Sequence, residues 1–259
     1  MIRRHDSGVI ADDEIREIIT RLRIVDNASP LMAGRYLRRG LADAFTNDIT
    51  AFLYASVARD TKGSPVGDPT MASTLTALAR ICVPRRSGSG VRAVVTYNFD
   101  DLLEKQLDPS GVIHRPIFKE GDVPTRDELP IYHVHGFLPQ DRARYSMSVD
   151  SVETLVFSEE GYHRLFGDPY SWSNLVQLGL LRDATCLMIG LSLTDPNLRR
   201  LLEVSAKRNE KFYHYAILPR LSADKFVVAK NGEPAVKARP TAIERFFDYA
   251  SPDTRGLVC

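Results

Sequence analysis

Residues 91–101 read VRAVVTYNFDD, a short run rich in β-branched residues that ends in polar side chains. A second run of this kind, Leu129–Val134, leads into His135-Gly136, and its Pro130 is tolerated because it stands near the first residue of a strand. Both runs are predicted to be strands. In an open parallel α/β sheet, ligands bind in the crevice beyond the carboxyl ends of the strands. The two strands are therefore expected to deliver an Asn, an Asp and a His to one crevice.

Helix-like and strand-like segments alternate along the chain. Strands are predicted over 91–95, 112–118, 129–134, 184–191 and 212–218, and the continuous apolarity of 184–191 predicts burial on both faces. Helices are predicted over 11–24, 31–59 with a junction at Asn47-Asp48, 71–82, 100–107, within 151–166, and over 171–181, 197–207 and 241–250. Strands that alternate with helices favour an α/β fold with a parallel sheet and helices on both faces.

The composition is that of an ordinary globular protein, with 44% hydrophobic and 26% charged residues in 259. This length predicts a single domain over 1–259, with a mainly helical portion at 11–83 and the sheet-containing core at 91–250. The net charge of +1 gives no bias toward nucleic acid or an anionic membrane, so no direct nucleic-acid binding is expected. No apolar run approaches the ~20 residues that span a bilayer, so no membrane association is expected either.

The three cysteines, Cys82, Cys186 and Cys259, are widely spaced and form no CxxC pair. This spacing argues against a structural zinc site and against a disulfide framework. It is typical of a protein in a reducing compartment, so a cytoplasmic location is expected.

Four motifs together resemble the sirtuin-like domains of bacterial anti-phage defence proteins: TYNFDDLLE (Thr96–Glu104), YHVHGF (Tyr132–Phe137), VFSEEGY (Val156–Tyr162) and GLSLTDPNLRRLL (Gly190–Leu202). The resemblance extends from about Leu31 to about Leu218. It implies a Rossmann-like fold and NAD⁺ as the substrate, which the defence branch hydrolyses to nicotinamide and ADP-ribose. The paired cysteines of the zinc ribbon in deacetylating sirtuins are missing here, so no zinc is expected and the hydrolase branch is favoured over a deacetylase.

One part of the family pattern has no counterpart in this sequence. The family begins with a strand and a Gly-Ala-Gly loop that cradles the NAD⁺ diphosphate through backbone N–H groups. Nothing of that kind precedes Ala11, so the first βα unit is expected to be missing. Two hypotheses stay open: an NAD⁺ glycohydrolase acting in abortive infection, or a catalytically degenerate nucleotide-binding or scaffold subunit of a defence complex. Relatives imply a homo-oligomer, or assembly with a partner such as a hexameric ATPase.

The resemblance also assigns roles near the first two strands. Sirtuins carry a His-Gly pair where this chain has His135-Gly136, which makes His135 the candidate general base. The alternative is that His135 only caps the strand end. Asn98 is expected to orient the attacking water or a ribose hydroxyl, unless it only forms an Asx turn. Asp100 binds the nicotinamide carboxamide or caps a helix, and Thr96 and Tyr97 are expected to line the pocket.

Three further residues are expected to contact the substrate. Gly190 permits a close backbone approach, and the Ser192 hydroxyl can bond a phosphate or ribose oxygen. The alternative for both is an ordinary turn. Asp195 is most simply an N-cap, with Pro196 at the first helical position, and otherwise a ribose contact. His133 is two residues before His135, so the two side chains are expected on the same face of the strand. His133 therefore either packs or supports His135.

Overall fold

The computed structural model of the protein describes residues 30–63, 74–84, 90–145, 155–191, 193, 195–207, 213–218 and 241. The predicted helix over 11–24 and all but the first residue of the one over 241–250 lie outside the described residues, as does Ser192. The chain divides into two compact units, 1–173 and 174–259, which are described separately. A single domain over the whole chain therefore stays a prediction.

The first unit begins, in its described part, with three helices: α1 (Pro30–Leu41), α2 (Phe45–Gly63) and α3 (Thr74–Cys82). A 3₁₀ turn over Ala42–Ala44 separates α1 from α2. The predicted junction at Asn47-Asp48 is wrong, because both residues lie in the first turn of α2. The break falls earlier, at Ala42, whose φ of +42° departs from helical backbone. Leu41 and Phe45 still pack in one hydrophobic cluster, so the i, i+4 spacing of apolar residues does not reveal the break.

A three-stranded parallel sheet follows these helices. Its strands are β1 (Val94–Thr96), β2 (His114–Ile117) and β3 (Leu129–His133), in the order β1-β3-β2. The helices α4 (Leu102–Leu107) and α5 (Glu159–Gly167) complete the described part of this unit. The register pairs Val94 with Ile131 and Thr96 with His133. The predicted α/β fold with a parallel sheet is confirmed.

Two hydrophobic clusters stabilise this unit. The first packs Leu129 and Ile131 of β3 against α3 and α4 through Ala79, Cys82 and Leu107. The second joins α1 and α2 to the segments beyond β1 and β3, and contains Leu41, Phe45, Leu138 and Leu155, with Phe99 and Phe157 packed against them. Because apolar area removed from water is the main favourable term in folding, these clusters fix α4 and the segments beyond the strands in place.

The second unit contains most of α6 (Trp172–Asp183), then β4 (Leu187–Ile189), α7 (Pro196–Ala206) and β5 (Tyr215–Ile217). Its strands β4 and β5 pair in parallel. Leu181, Met188 and Leu201 form its buried cluster. The run 184–191, which contains β4, was predicted to be buried on both faces. This prediction is wrong for the described residues, because Leu187 is 52% exposed. None of the helices in the described parts of the chain is long and apolar enough to cross a membrane.

Candidate functional site

The segments that leave β1 and β3 are held side by side. The paired strands end at Thr96 and His133, and Asn98 and His135 each follow two residues later. The Val134 N–H donates to the Thr96 carbonyl (3.2 Å), and further on the Leu138 N–H donates to the Phe99 carbonyl (2.6 Å). The structure therefore brings the segments carrying Asn98 and His135 together, as the two strand-like runs predicted.

The imidazole of His135 is buried between two tyrosine rings. Its ring centroid lies 4.6 Å from that of Tyr97 and 5.6 Å from that of Tyr162 in α5, both in edge-to-face geometry. The residue is only 6% exposed, and its backbone carbonyl accepts a hydrogen bond from the Val156 N–H (2.8 Å). Aromatic pairs prefer this geometry, so the two tyrosines fix the plane of the imidazole. The contact of Tyr162 was not predicted, although Tyr162 ends the motif VFSEEGY.

Gly136 permits the chain to turn directly after His135. Its φ of +106° lies in a region that residues with a side chain rarely adopt. A Cβ at this position would lie 2.6 Å from Leu155 Cδ2 and 3.1 Å from Leu155 Cα. Both the backbone conformation and the close approach of Leu155 require glycine here.

Asn98 presents an exposed side chain on a backbone held from two sides. Its N–H donates to the Thr96 hydroxyl (3.1 Å), and its carbonyl lies 3.2 Å from Nδ1 of His133. Thr96 therefore shapes the turn that presents Asn98. The exposed amide of Asn98 offers both donors and an acceptor to a ligand.

Asp100 is half-buried and takes part in the start of α4. Its Oδ1 accepts a hydrogen bond from the Leu102 N–H (3.2 Å). Burial raises the pKa of its carboxyl above the ordinary value. The N-cap position itself belongs to Asp101, whose side chain makes no capping bond. Asp100, the residue before the N-cap, thus accepts a hydrogen bond from the first N–H of the helix. Its contact with nicotinamide stays a prediction.

Asp101 belongs to a buried polar cluster that the sequence did not predict. Its carboxylate is 0% exposed, accepts from the Tyr54 hydroxyl (2.7 Å) and pairs with Nζ of Lys105 (2.9 Å). The Tyr54 oxygen in turn accepts from the Asp101 N–H (2.9 Å). Burial, together with the hydrogen bond to Asp101, raises the pKa of Tyr54 far above its usual range. This cluster ties α2 to the beginning of α4.

His133 forms a second buried pair with Glu104 of α4. The distance from His133 Nε2 to Glu104 Oε1 is 2.7 Å, and the two side chains are 1% and 0% exposed. The His133 ring also packs on Phe137, with 4.2 Å between ring centroids. His133 was predicted to pack or to support His135. The structure shows that it packs, and that it contacts the carbonyl of Asn98.

A groove of about 650 Å³ lies beside α2. Its lining includes Thr50 and Tyr54 of α2 with Gln140 and Arg142 from beyond β3. Because neither predicted catalytic residue lines it, this groove is not the crevice predicted at the strand ends. Among the described residues, no group of three or more His, Cys, Asp or Glu side chains is placed to hold a metal ion. The expected absence of zinc stays a prediction.

The remaining predicted site residues belong to the second unit. Gly190 directly follows β4, is exposed, and has a φ of +70°. Asp195 is the N-cap of α7, since its Oδ1 accepts from the Leu198 N–H (2.7 Å) and Pro196 is the first helical residue. The N-cap prediction for Asp195 is confirmed. Contacts of Gly190 and Asp195 with a substrate stay predictions.

The cap can be tested by substitution at Asp195. We expect Asp195→Ala to lower the free energy of unfolding by about 1 kcal/mol, because the Leu198 N–H loses its acceptor. Asp195→Ser retains an N-cap oxygen and should recover most of this loss. Urea unfolding of the two variants measures the difference. Equal losses in both variants would contradict the capping role.

In open parallel α/β sheets, ligands bind beyond the carboxyl ends of the strands, which is where this sheet is followed by Asn98 and His135. The sequence model of the family described as SIR2-like domain matches residues 92–235, which is more than half of the chain. The chain belongs to this family, and its resemblance to sirtuin-like domains is confirmed.

The chain is also similar to a curated protein, the NAD(+) hydrolase ThsA of Enterococcus faecium. The two are 27% identical over 145 residues, a stretch that covers 51% of this chain and 26% of ThsA. The match therefore spans about a quarter of the relative's length.

Proposed function

We propose that this chain is an NAD⁺ hydrolase of the sirtuin type, which cleaves NAD⁺ to nicotinamide and ADP-ribose. The main support for the proposal is that backbone hydrogen bonds hold together the segments beyond β1 and β3, which bear Asn98 and His135. Membership of the SIR2-like family and the similarity to an NAD(+) hydrolase support NAD⁺ as the substrate.

His135 is the general base of the proposed reaction. The bond between nicotinamide and ribose breaks, positive charge develops on the ribose, and water adds to the same carbon. Water gives up one proton as it adds, and a neutral imidazole accepts it. The ring contacts with Tyr97 and Tyr162 hold the base in one orientation, which favours a defined geometry for the proton transfer.

Asn98 orients the attacking water or the neighbouring ribose hydroxyl. Its amide is exposed, and its backbone is held by Thr96 and His133, so the side chain starts from a fixed position. Asp100 binds the nicotinamide carboxamide from the same segment. The carboxylate of Asp100 can accept a hydrogen bond from the NH₂ group of the carboxamide.

The contacts with the rest of the substrate are assigned from the sequence alone. Thr96 and Tyr97 line the pocket, Gly190 and Ser192 contact a phosphate or ribose oxygen, and Asp195 contacts a ribose. The resemblance to sirtuin-like domains supports a role in anti-phage defence, in which the depletion of NAD⁺ ends the infection. It also supports a homo-oligomer, or assembly with a partner such as a hexameric ATPase. The spacing of the cysteines supports a cytoplasmic location.

The decisive experiment follows nicotinamide release from NAD⁺ by chromatography for the wild type and for Asn98→Ala. We expect the wild type to release nicotinamide and the variant to lose about 10²-fold or more of kcat, because the attacking water is no longer oriented. Asn47→Ala removes another exposed asparagine, in α2, and should leave the rate unchanged. An inactive wild type, or an Asn98→Ala variant as active as the wild type, would contradict the proposal.

A further inference from the structure

The buried pair of His133 and Glu104 lies directly behind the backbone of Asn98. His133 ends β3 and Glu104 lies in α4, and both side chains are almost completely buried. The imidazole bridges the two elements, with Nε2 2.7 Å from Glu104 Oε1 and Nδ1 3.2 Å from the Asn98 carbonyl oxygen. The strand, the helix and the Asn98 segment are thus joined through one ring.

The chemistry of these partners decides where the protons are. A carbonyl oxygen only accepts hydrogen bonds, so Nδ1 of His133 must carry a proton, and this N–H donates a hydrogen bond to the Asn98 carbonyl oxygen. The other nitrogen, Nε2, then either donates to an ionised Glu104 or accepts from a protonated one. In both cases the pair holds two protons and has no net charge. Glu104 therefore keeps the ring in the form that donates to the Asn98 carbonyl.

Stability alone is a weak reason for such a pair. Desolvation of two buried ionisable groups offsets much of their attraction, and an apolar pair of similar size often serves stability equally well. Among the described residues, the second oxygen of Glu104 is buried without a hydrogen-bond partner, which adds to the cost. What an apolar pair cannot supply is an N–H aimed at a backbone carbonyl. Similar imidazole–carboxylate pairs orient imidazoles elsewhere in proteins.

We propose that Glu104 and His133 are positioning residues, which hold the carbonyl of Asn98 and thereby place its side chain for the reaction. This inference rests on the proposed function for its kinetic consequence, but its structural consequence can be tested without NAD⁺. Neither residue acts on the substrate directly. A misplacement of about 1 Å in a catalytic group can cost ~10²-fold in rate, so loss of the donor should lower kcat more than it raises KM.

Two substitutions of His133 separate positioning from simple stabilisation. In His133→Asn, the amide nitrogen stands near the position of Nδ1 and can still donate to Asn98, but it cannot reach Glu104. In His133→Gln, the amide nitrogen stands near the position of Nε2 and can still reach Glu104, but the donor to Asn98 is lost. We expect the Asn variant to keep kcat within about 3-fold and the Gln variant to lose roughly 10–100-fold.

Thermal stability should change in the opposite order. His133→Asn leaves a buried carboxyl without its partner, so its Tm should fall by roughly 5–15 °C, whereas His133→Gln should lose less. If His133 and Glu104 only stabilise the fold, activity will follow Tm and the Gln variant will be the more active one. That order, or equal kcat values in the two variants, would overturn the inference. If His133→Asn alone does not fold, the double variant His133→Asn/Glu104→Gln removes the buried carboxyl that has lost its partner, and it must retain kcat.

NMR of the chain with ¹⁵N- and ¹³C-labelled histidine and asparagine gives a readout that does not depend on activity. The wild type should show a protonated Nδ1 on His133, and the Asn98 carbonyl shift should be preserved in His133→Asn and displaced in His133→Gln. An unprotonated Nδ1, or an Asn98 carbonyl chemical shift that is the same in both variants as in the wild type, would refute the positioning role. A wild type with the expected spectra but no nicotinamide release would retain the positioning role and refute the proposed hydrolase.

Discussion

Replacing His135 with alanine is expected to lower kcat for nicotinamide release by about 10²–10⁴-fold, the contribution typical of a positioned general base. Alanine carries no group that can accept the proton of the attacking water. KM should change much less, because the imidazole acts on the water more than on the parts of NAD⁺ that provide affinity. The measurement is nicotinamide release at saturating NAD⁺, followed by chromatography.

Two matched variants separate the chemistry of His135 from its packing. His135→Phe keeps an aromatic ring between Tyr97 and Tyr162 but has no nitrogen, so it should fold and be about as inactive as His135→Ala. His163→Ala removes an exposed histidine from α5 and should leave kcat unchanged. Normal turnover by His135→Phe would show that His135 is not the base.

The sequence predicted the described strands to within a few residues because most of them are short apolar runs between polar segments, β2 with the sequence HRPI being the exception. The run predicted over 129–134 forms a strand at Leu129–His133, and the one predicted over 91–95 forms a strand at Val94–Thr96. Parallel pairing followed from the alternation of strands with helices. Because parallel strands end at the same edge of a sheet, the closeness of the Asn98 and His135 segments could be predicted without coordinates.

The buried partners of the site could not be predicted in the same way. Glu104 and Asp101 are acids in or beside a short helix, where a solvent-exposed position is the usual expectation for such residues. Their burial depends on which face of α4 packs against β3, and the spacing of Leu103 and Leu107 does not fix that face. One feature of the sequence did point to this region. His133 is two residues before His135, which predicted a second imidazole on the same face of the strand. Its partner could be identified only from the packed structure.

Replacing Gly136 with alanine is expected to destabilise the first unit by roughly 2–6 kcal/mol. A positive φ outside the regions open to other residues costs about 1–3 kcal/mol, and overpacking adds about 1–3 kcal/mol. Both costs apply here, because φ is +106° and the new Cβ would lie 2.6 Å from Leu155 Cδ2 and 3.1 Å from Leu155 Cα. The Leu155 side chain can move, but its backbone is held where the Val156 N–H bonds the His135 carbonyl. Urea unfolding measures the loss.

Gly121→Ala is the matched control for this substitution. Gly121 has a φ of +85°, but among the described residues, its two chain neighbours aside, no atom lies within 4 Å of the position that a Cβ would take. It carries the backbone strain without the collision, so it should lose about 1–3 kcal/mol. The difference between the two variants therefore measures the contact with Leu155. Relief of that contact moves the backbone at residue 136, next to the proposed base His135. Nicotinamide release per folded molecule should therefore fall in Gly136→Ala and stay unchanged in Gly121→Ala. Equal losses of stability in the two variants would show that Leu155 can shift without loss of stability. The backbone conformation alone would then require glycine after His135.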